Sequence, residues 1–427
     1  MAAVSPTHPF LAELAARGLL HQVTNLEGLE EKLGSQLTLY CGFDPTKDSL
    51  TIGNFVAVTL LRRFQLAGHV PVVVMGGGTG MIGDPSGKDA ERTLLSPEGI
   101  ERNVNGQRTI FERVLDFDGP NKAVILNNAE WLSGLGYIEV LRDVGKHFSV
   151  NMMIQKDSVK TRLEGRDQGI SYTEFSYMIL QSYDFAHLSK WYGVNLQIGG
   201  SDQWGNIVGG VDLTRRLHQT EVFGLTAPLL TKSDGGKFGK TETGAVWLTA
   251  NYTSPYAFYQ FWMNAADGDV GNFLRVFSFR PLDEIERLLA EHAAAPNERR
   301  AQQALAAELT ELLHGEEGLR DARAATEALF SGDVRGLSAA LLDEVFAGAP
   351  SAEIERSSLA APGKSLVDIL VETEIVKSKR EAREFLKSGA VSVNGEKKSE
   401  DALLSTEDLL HDRLALVRRW EKTWHVL

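Results

Sequence analysis

The sequence predicts an α/β protein: a mostly parallel sheet covered on both faces by helices, followed by an α-helical region and a small α+β region. Three observations support this. In the first half, short apolar runs alternate with amphipathic stretches of helical period, the pattern of strand–helix–strand units. Beyond Phe223 a glycine- and lysine-rich loop gives way to sequence rich in Ala, Leu and Glu, which favours helix. Around residue 348 the periodicity stops, and it resumes after residue 363 in shorter elements.

Taken in order, residues 37–42 read as a strand, and 54–67 as a helix that Gly68 ends. Residues 70–75 are a second strand, and 96–115 a helix with Ser96 as its cap and Pro97 at its first position. Residues 123–126 and 194–198 continue the strand series. Parallel sheets of this kind bind ligands at the carboxyl ends of their strands. The chain then divides into 1–223 with the sheet, 224–347 with the loop and helices, a linker at 348–363 containing Pro350, Ser357, Ser358 and Pro362, and a final domain at 364–427. That last part holds an element at 365–371, a basic helix at 379–387 and the strand and tight turn Val391-Ser392-Val393-Asn394-Gly395.

A length of 427 residues exceeds one ordinary core, so several domains are expected. No apolar run has membrane-spanning length, and the first twenty residues carry charges and prolines where a leader would be apolar, which points to a cytoplasmic protein without membrane partners. A single cysteine, Cys41, excludes an internal disulfide or a cysteine-rich zinc site, and the ten histidines form no ligand pair, so no protein-held metal is expected. The net charge of −13 opposes binding of nucleic acid by overall attraction. The negative excess lies upstream of residue 364, because 364–427 carries 12 basic and 12 acidic side chains.

Residues 75–88 read M-G-G-G-T-G-M-I-G-D-P-S-G-K, and Gly78, Gly80 and Gly83 match a dinucleotide-binding spacing after a strand. That fingerprint also needs a helix at the third glycine and an acidic residue at a later strand end. Pro85 and Gly87 oppose the helix, and the acidic residues Glu98 and Glu101 fall inside the helix that Ser96 starts. A phosphate-binding P-loop fails too, with Ile82 and Asp89 at its key positions. A turn with close backbone packing explains the glycines but leaves the clustered Asp84, Lys88 and Arg92 without a role.

Three separated motifs give the chain a resemblance. Tyr40-Cys41-Gly42-Phe43-Asp44-Pro45-Thr46, followed by Leu50-Thr51-Ile52-Gly53-Asn54, resembles the class I aminoacyl-tRNA synthetase signature in its tyrosine-specific context, with Thr51 and Asn54 where the signature has histidines. Lys237-Phe238-Gly239-Lys240-Thr241 is similar to the mobile loop of that class, and Gly199 to Asn206, G-G-S-D-Q-W-G-N, to the ribose-side loop of its tyrosyl branch. The chain thus resembles the bacterial-type tyrosyl-tRNA synthetases over nearly its whole length. That resemblance implies a Rossmann-like catalytic domain, an α-helical anticodon-recognition domain and a small RNA-binding domain of ribosomal-protein type. It also implies L-tyrosine, ATP with Mg2+ and tRNA(Tyr) as substrates and partners, and a homodimer.

Residues 173–185 read as an apolar helix interrupted by Tyr177, Gln181 and Asp184 at i, i+4 and i+7, which shares three polar groups on one face. By spacing alone the stripe suits solvent as well as a ligand. The resemblance makes it a tyrosine pocket, with Tyr177 and Gln181 near the ammonium, Asp184 and Tyr40 at the phenol, Asp84 on the ammonium and Gln203 near the carboxylate and α-phosphate. It assigns Thr46, Thr51, Asn54, Lys88, Arg92, Lys237, Lys240 and Thr241 to the phosphates. Cys41, Asp44, Gly53, Gly200, Asp202 and Lys240 are assigned to ATP. In the last domain, Lys377, Lys379, Arg380, Arg383 and Lys387 are the expected RNA contacts, although such a run is also an ordinary solvated face.

Overall fold

Val70–Met75 is the run V-P-V-V-V-M, buried from Pro71 onward, and an unalternated apolar run suits a strand covered on both faces. In the computed structural model this strand, β3, lies inside a six-stranded sheet; the residues described are 5–86, 95–156, 159–160, 163, 169–236, 238–241, 244–420 and 423–427. The other strands are β1 (Gln22–Val23), β2 (Thr38–Phe43), β4 (Val124–Asn127), β5 (Leu196–Gly200) and β6 (Phe223–Ala227). Their order is β1-β6-β5-β2-β3-β4, with the last five parallel and β1 antiparallel to β6.

This order places a reversal of direction between β2 and β5. From β2 the chain winds outward through β3 and β4, then returns to the other side of β2 for β5 and β6. The two strands at the reversal pair only at Leu39–Leu196 and Tyr40–Gln197, whereas β2 follows β3 to Phe43 and β5 follows β6 to Gly200. Their carboxyl ends therefore part. A crevice at such a switch point is where open α/β sheets take ligands.

The connecting helices match the sequence signals closely. Ser96 caps Pro97–Val114 by accepting from the Gly99 amide at 3.1 Å. Ser171 accepts from Glu174 to start Tyr172–Tyr192, and Gly193, with a φ of 67°, ends it. The helix after β2 is Ile52–Leu66, begun two residues earlier than periodicity indicates because Thr51 and Asn54 form its cap.

The chain divides into two compact units, Met1–Ser254 with Phe258–Gly315 and Pro255–Ala257 with Glu316–Leu427. The first includes the sheet and the helices Asp267–Phe277 and Leu282–Ala294, whose Phe277 stacks on Phe55 of the helix after β2. The division falls at Gly315, which has a φ of 76° inside the helical run Arg300–Ser331. In the second unit, 348–363 is built into the structure: Leu359 is buried in the core of Leu366, Leu370, Leu386 and Val417, and the Ala352 amide donates to the Val426 carbonyl at 2.9 Å. Its apolar residues are spaced irregularly, so periodicity carried no trace of that packing. Val391–Val393 and Glu396–Lys397 form the expected hairpin, turned by Asn394 and Gly395 with φ of 49° and 89°.

Candidate active site

Asp184 sits near the middle of Tyr172–Tyr192, 4% exposed, with both carboxylate oxygens occupied: Trp131 Nε1 donates to one at 2.7 Å and Asn128 Nδ2 to the other at 2.9 Å. Burial pushes its pKa up to about 7, against those two hydrogen bonds, which favour the charged form; the charge of Asp44 adds to the rise. Asn128 directly follows β4 and also donates to Thr79 Oγ1 at 3.0 Å and accepts from the Gly78 amide at 2.7 Å. Sequence reading missed Asn128 and Trp131. The available signal was their place just beyond the carboxyl end of a parallel strand.

Tyr40 lies on β2 with its ring edge-on to Phe185, centroids 5.2 Å apart. Its hydroxyl is buried and has no hydrogen-bond partner among the described residues. Burial, then the charge of nearby Asp184, holds that hydroxyl well above the usual phenol pKa. A buried donor without a partner is costly unless a ligand meets it. The site thus has one fully engaged carboxylate beside one unengaged phenol.

From Asp184 the network continues through Asn128 and Thr79 to Asp44, the residue that follows β2. Thr79 donates to Asp44 Oδ1 at 2.8 Å, and Tyr177 donates to Asp44 Oδ2 at 3.0 Å. The glycine loop must approach this carboxylate closely, since a Cβ on Gly76 would meet Asp44 Oδ1 at 2.2 Å. No helix starts at Gly83; a short 3-10 turn spans Thr79–Met81 instead. The glycines serve packing against the site, as the turn reading anticipated.

A second network brings Asp84, Gln181 and Gln203 together. Gln203 Nε2 donates to Asp84 at 2.8 Å, and Gln181 Nε2 donates to Gln203 Oε1 at 3.3 Å, as does Asn206 Nδ2. The Ser86 amide fixes the other oxygen of Asp84 at 2.9 Å. Asp44, Asp84 and Asp184 all act on the Tyr177 phenol, whose pKa is raised first by burial and then by these charges. Three carboxylates gathered about the Tyr177 phenol suit a cationic ligand group. Lys156, also absent from the sequence-predicted set, supports this wall by donating to the Gly205 carbonyl at 2.6 Å, and burial lowers its pKa to about 8.

At the signature, the Thr51 hydroxyl and amide both donate to Asn54 Oδ1, at 2.8 and 3.1 Å. The Asn54 oxygen is thereby spent and its amide NH2 group left for a ligand. Thr46, Gly53 and Asn54 are exposed at this helix entrance. The loop after β6 returns to it: Gly239 has a φ of 79°, a Cβ there would meet Ile52 Cγ2 at 2.5 Å, and the Ile52 amide donates to Val246. Phe238 anchors the loop on Phe273 and Phe277, at 5.0 and 5.5 Å between centroids. Lys240 is exposed and Thr241 pairs by backbone with Gly244; Lys88, Arg92, Lys237 and the side chain of Thr241 lie outside the described residues.

Cys41 is buried, and burial followed by the charge of Asp202 pushes its thiol up to about 12. Gly200 ends β5 so close to Asp202 that a Cβ would meet its Oδ1 at 2.5 Å. In the second unit the five basic residues share one region but are not equally available. Lys379 pairs with Asp368 at 2.7 Å, Arg380 with Glu384 at 3.3 Å and Lys387 with Glu400 at 3.3 Å, whereas Lys377 and Arg383 are exposed without an ion pair among the described residues. Among the described residues no cluster of three His, Cys, Asp or Glu could hold a metal, and no helix is long and apolar enough to cross a membrane.

Comparison with known proteins identifies the family of the chain. Residues 31–331 match the family described as tRNA synthetases class I (W and Y), and 342–427 match the tyrosine--tRNA ligase SYY-like C-terminal domain. The chain is 50% identical over 422 residues to a tyrosine--tRNA ligase of Dechloromonas aromatica, covering 98% of each, and 51% identical over 418 residues to that of Escherichia fergusonii, covering 97% of each. A C-terminally truncated mitochondrial tyrosyl-tRNA synthetase of Aspergillus nidulans superposes with a TM-score of 0.68 at 29% identity, covering 75% of this chain and 94% of that one. The tyrosyl-tRNA synthetase of Archaeoglobus fulgidus, at 17% identity and a TM-score of 0.55 over 73% of this chain and 99% of that one, shares the fold. With matches spanning the sheet, the helices and the second unit, the chain belongs to the class I tRNA synthetases, within their tyrosine--tRNA ligase family.

Proposed function

We propose that the crevice between β2 and β5 activates L-tyrosine with ATP, giving tyrosyl-adenylate and pyrophosphate, and that the enzyme then transfers tyrosine to the 3′ end of tRNA(Tyr). The observation that carries this reading is the buried pair at the phenol end: Asp184, fixed by Asn128 and Trp131, beside the unpartnered Tyr40 hydroxyl. A phenol bound there gives the Tyr40 hydroxyl its missing partner and donates a further hydrogen bond to Asp184, whereas phenylalanine leaves Tyr40 buried and unmet, a discrimination for which tyrosyl synthetases are the known instance. The ammonium goes to Asp84 with Tyr177 and Gln181, and Gln203 turns its amide to the carboxylate.

Chemistry needs no side-chain nucleophile. The tyrosine carboxylate attacks the α-phosphorus, and charge grows on the leaving phosphates. Asn54, Thr46 and Lys240, with Lys88, Arg92, Lys237 and Thr241, are the donors assigned to those phosphates; Thr51, expected from sequence among them, instead spends its hydroxyl proton on Asn54 Oδ1 and orients that amide, and Mg2+ enters with ATP as part of the substrate. Gly200, Asp202 and Cys41 take the ribose side, with Asp44 and Gly53 beside the nucleotide. Residues 224–347 contribute anticodon recognition and 364–427 bind RNA through the basic helix. A homodimer is supported by the exposed Tyr137, Ile138, Val150 and Met152, more than half exposed each, which a second copy would cover. Sedimentation of the full chain at micromolar concentration should give twice the chain mass, and Ile138→Asp should give the monomer. The catalytic reading is tested by pyrophosphate exchange with each amino acid in turn: exchange with tyrosine alone is expected, and its absence with every amino acid overturns the reading.

A further inference from the structure

The signature contains a cation that the assignments above leave without a role. Lys47 follows Thr46 in the loop between β2 and the next helix, and its Nζ lies 4.9 Å from the ring centroids of both Trp247 and Tyr252. Trp247 is the bridge partner of Thr51 across the entrance to the site. The nearest acid in sequence, Asp48, accepts from the Tyr252 hydroxyl, and Lys47 has no ion pair among the described residues. Ring faces hold an ammonium without cancelling its charge and leave N–H donors free, unlike a carboxylate partner. The backbone beneath is fixed, because Gln107 donates to the Lys47 carbonyl at 2.9 Å and Asn103 to that of Pro45 at 2.8 Å.

Beside it, Thr51 cannot supply what phosphates need. Its hydroxyl proton is used on Asn54 Oδ1, so toward a ligand it offers only lone pairs. A phosphate oxygen meeting lone pairs alone is repelled. We propose that Lys47 binds the β- and γ-phosphates of ATP, supplying at the signature the cationic donor that Thr51 does not. The aromatic rings of Trp247 and Tyr252 hold the ammonium at the rim of the site, uncancelled, and the triphosphate draws it in.

This inference rests on the ATP-dependent reading, and the test separates the two. In the full-length protein, Lys47→Gln is compared with wild type in tyrosine-dependent pyrophosphate exchange, with KM read for ATP and for pyrophosphate and the Kd of tyrosine measured by equilibrium binding. Loss of one charge-assisted contact should raise both phosphate-ligand KM values on the order of tenfold, with tyrosine Kd and melting temperature unchanged. Lys47→Arg should keep most of the affinity, and adding Thr51→His to Lys47→Gln should recover part of it by restoring a donor. Unchanged KM for ATP and pyrophosphate overturns the inference while leaving the wild-type reaction intact. Tyrosine affinity that falls together with melting temperature overturns it as well, by making Lys47 a structural strap. A wild-type chain without tyrosine-dependent exchange fails the functional reading itself.

Discussion

Asp184 shows how a single residue's environment sets its chemistry. Burial alone would keep the carboxyl neutral, and the hydrogen bonds from Asn128 and Trp131 bring it back toward ionisation, to about 7. Its folded pKa stands above the ordinary 3.8, so its contribution to stability is fully present below 3.8 and is lost as pH rises through about 7. Asn128→Ala removes a bond that lowers the pKa, so the carboxyl should ionise at higher pH. The acid limb of kcat/KM for tyrosine should then move upward in pH, and an unmoved limb would show that Asn128 does not tune Asp184. Tyr177, Gln181 and Asp184 were legible because a 3.6-residue period puts them on one face. Asn128 and Trp131 were not, because they lie 56 and 53 residues from Asp184 and meet it only through sheet order. The Thr51–Asn54 bond was equally hidden, since composition does not reveal which lone pair a cap consumes.

Elements position these residues by strand order and by closely packed turns. Caps and terminators such as Ser96, Pro97, Ser171 and Gly193 act within a few residues of themselves, and the helices they bound could be read directly. The separation of β2 from β5 after two paired positions could not, because register depends on partners far away in sequence. The loop that carries Lys240 depends on one backbone conformation: Gly239 has a φ of 79° and no room for a Cβ against Ile52. Gly239→Ala should slow adenylate formation at least about tenfold, since a ~1 Å misplacement of a loop group can cost that much or more, and should leave tyrosine affinity unchanged. Stopped-flow measurement of adenylate formation beside equilibrium tyrosine binding checks this, and a wild-type rate would mean that the docked loop is not the working one.

At the scale of the whole molecule, the second unit has its own core. Leu416 is fully buried among Ala325, Val334, Phe346 and Trp424, and Leu366, Leu370 and Val417 form a neighbouring cluster. Composition indicated a helical region ending near residue 347, yet 316–347 packs with the final domain, because an Ala- and Leu-rich helix carries no mark of which core receives it. Leu416→Ala should cost about 2–5 kcal/mol of that unit's stability and reduce charging of tRNA at elevated temperature. Tyrosine-dependent pyrophosphate exchange should be preserved, and equal loss of both activities would show that the units do not work separately.

The central claim is that the crevice between β2 and β5 reads a phenolic hydroxyl through Tyr40 and Asp184. The most direct measurement is kcat/KM for tyrosine and for phenylalanine in pyrophosphate exchange, with wild type and Tyr40→Phe side by side. The account predicts a strong wild-type preference for tyrosine, and a variant that loses tyrosine activity while phenylalanine activity stays level or rises. Equal losses for both amino acids, or an unchanged preference, would contradict it.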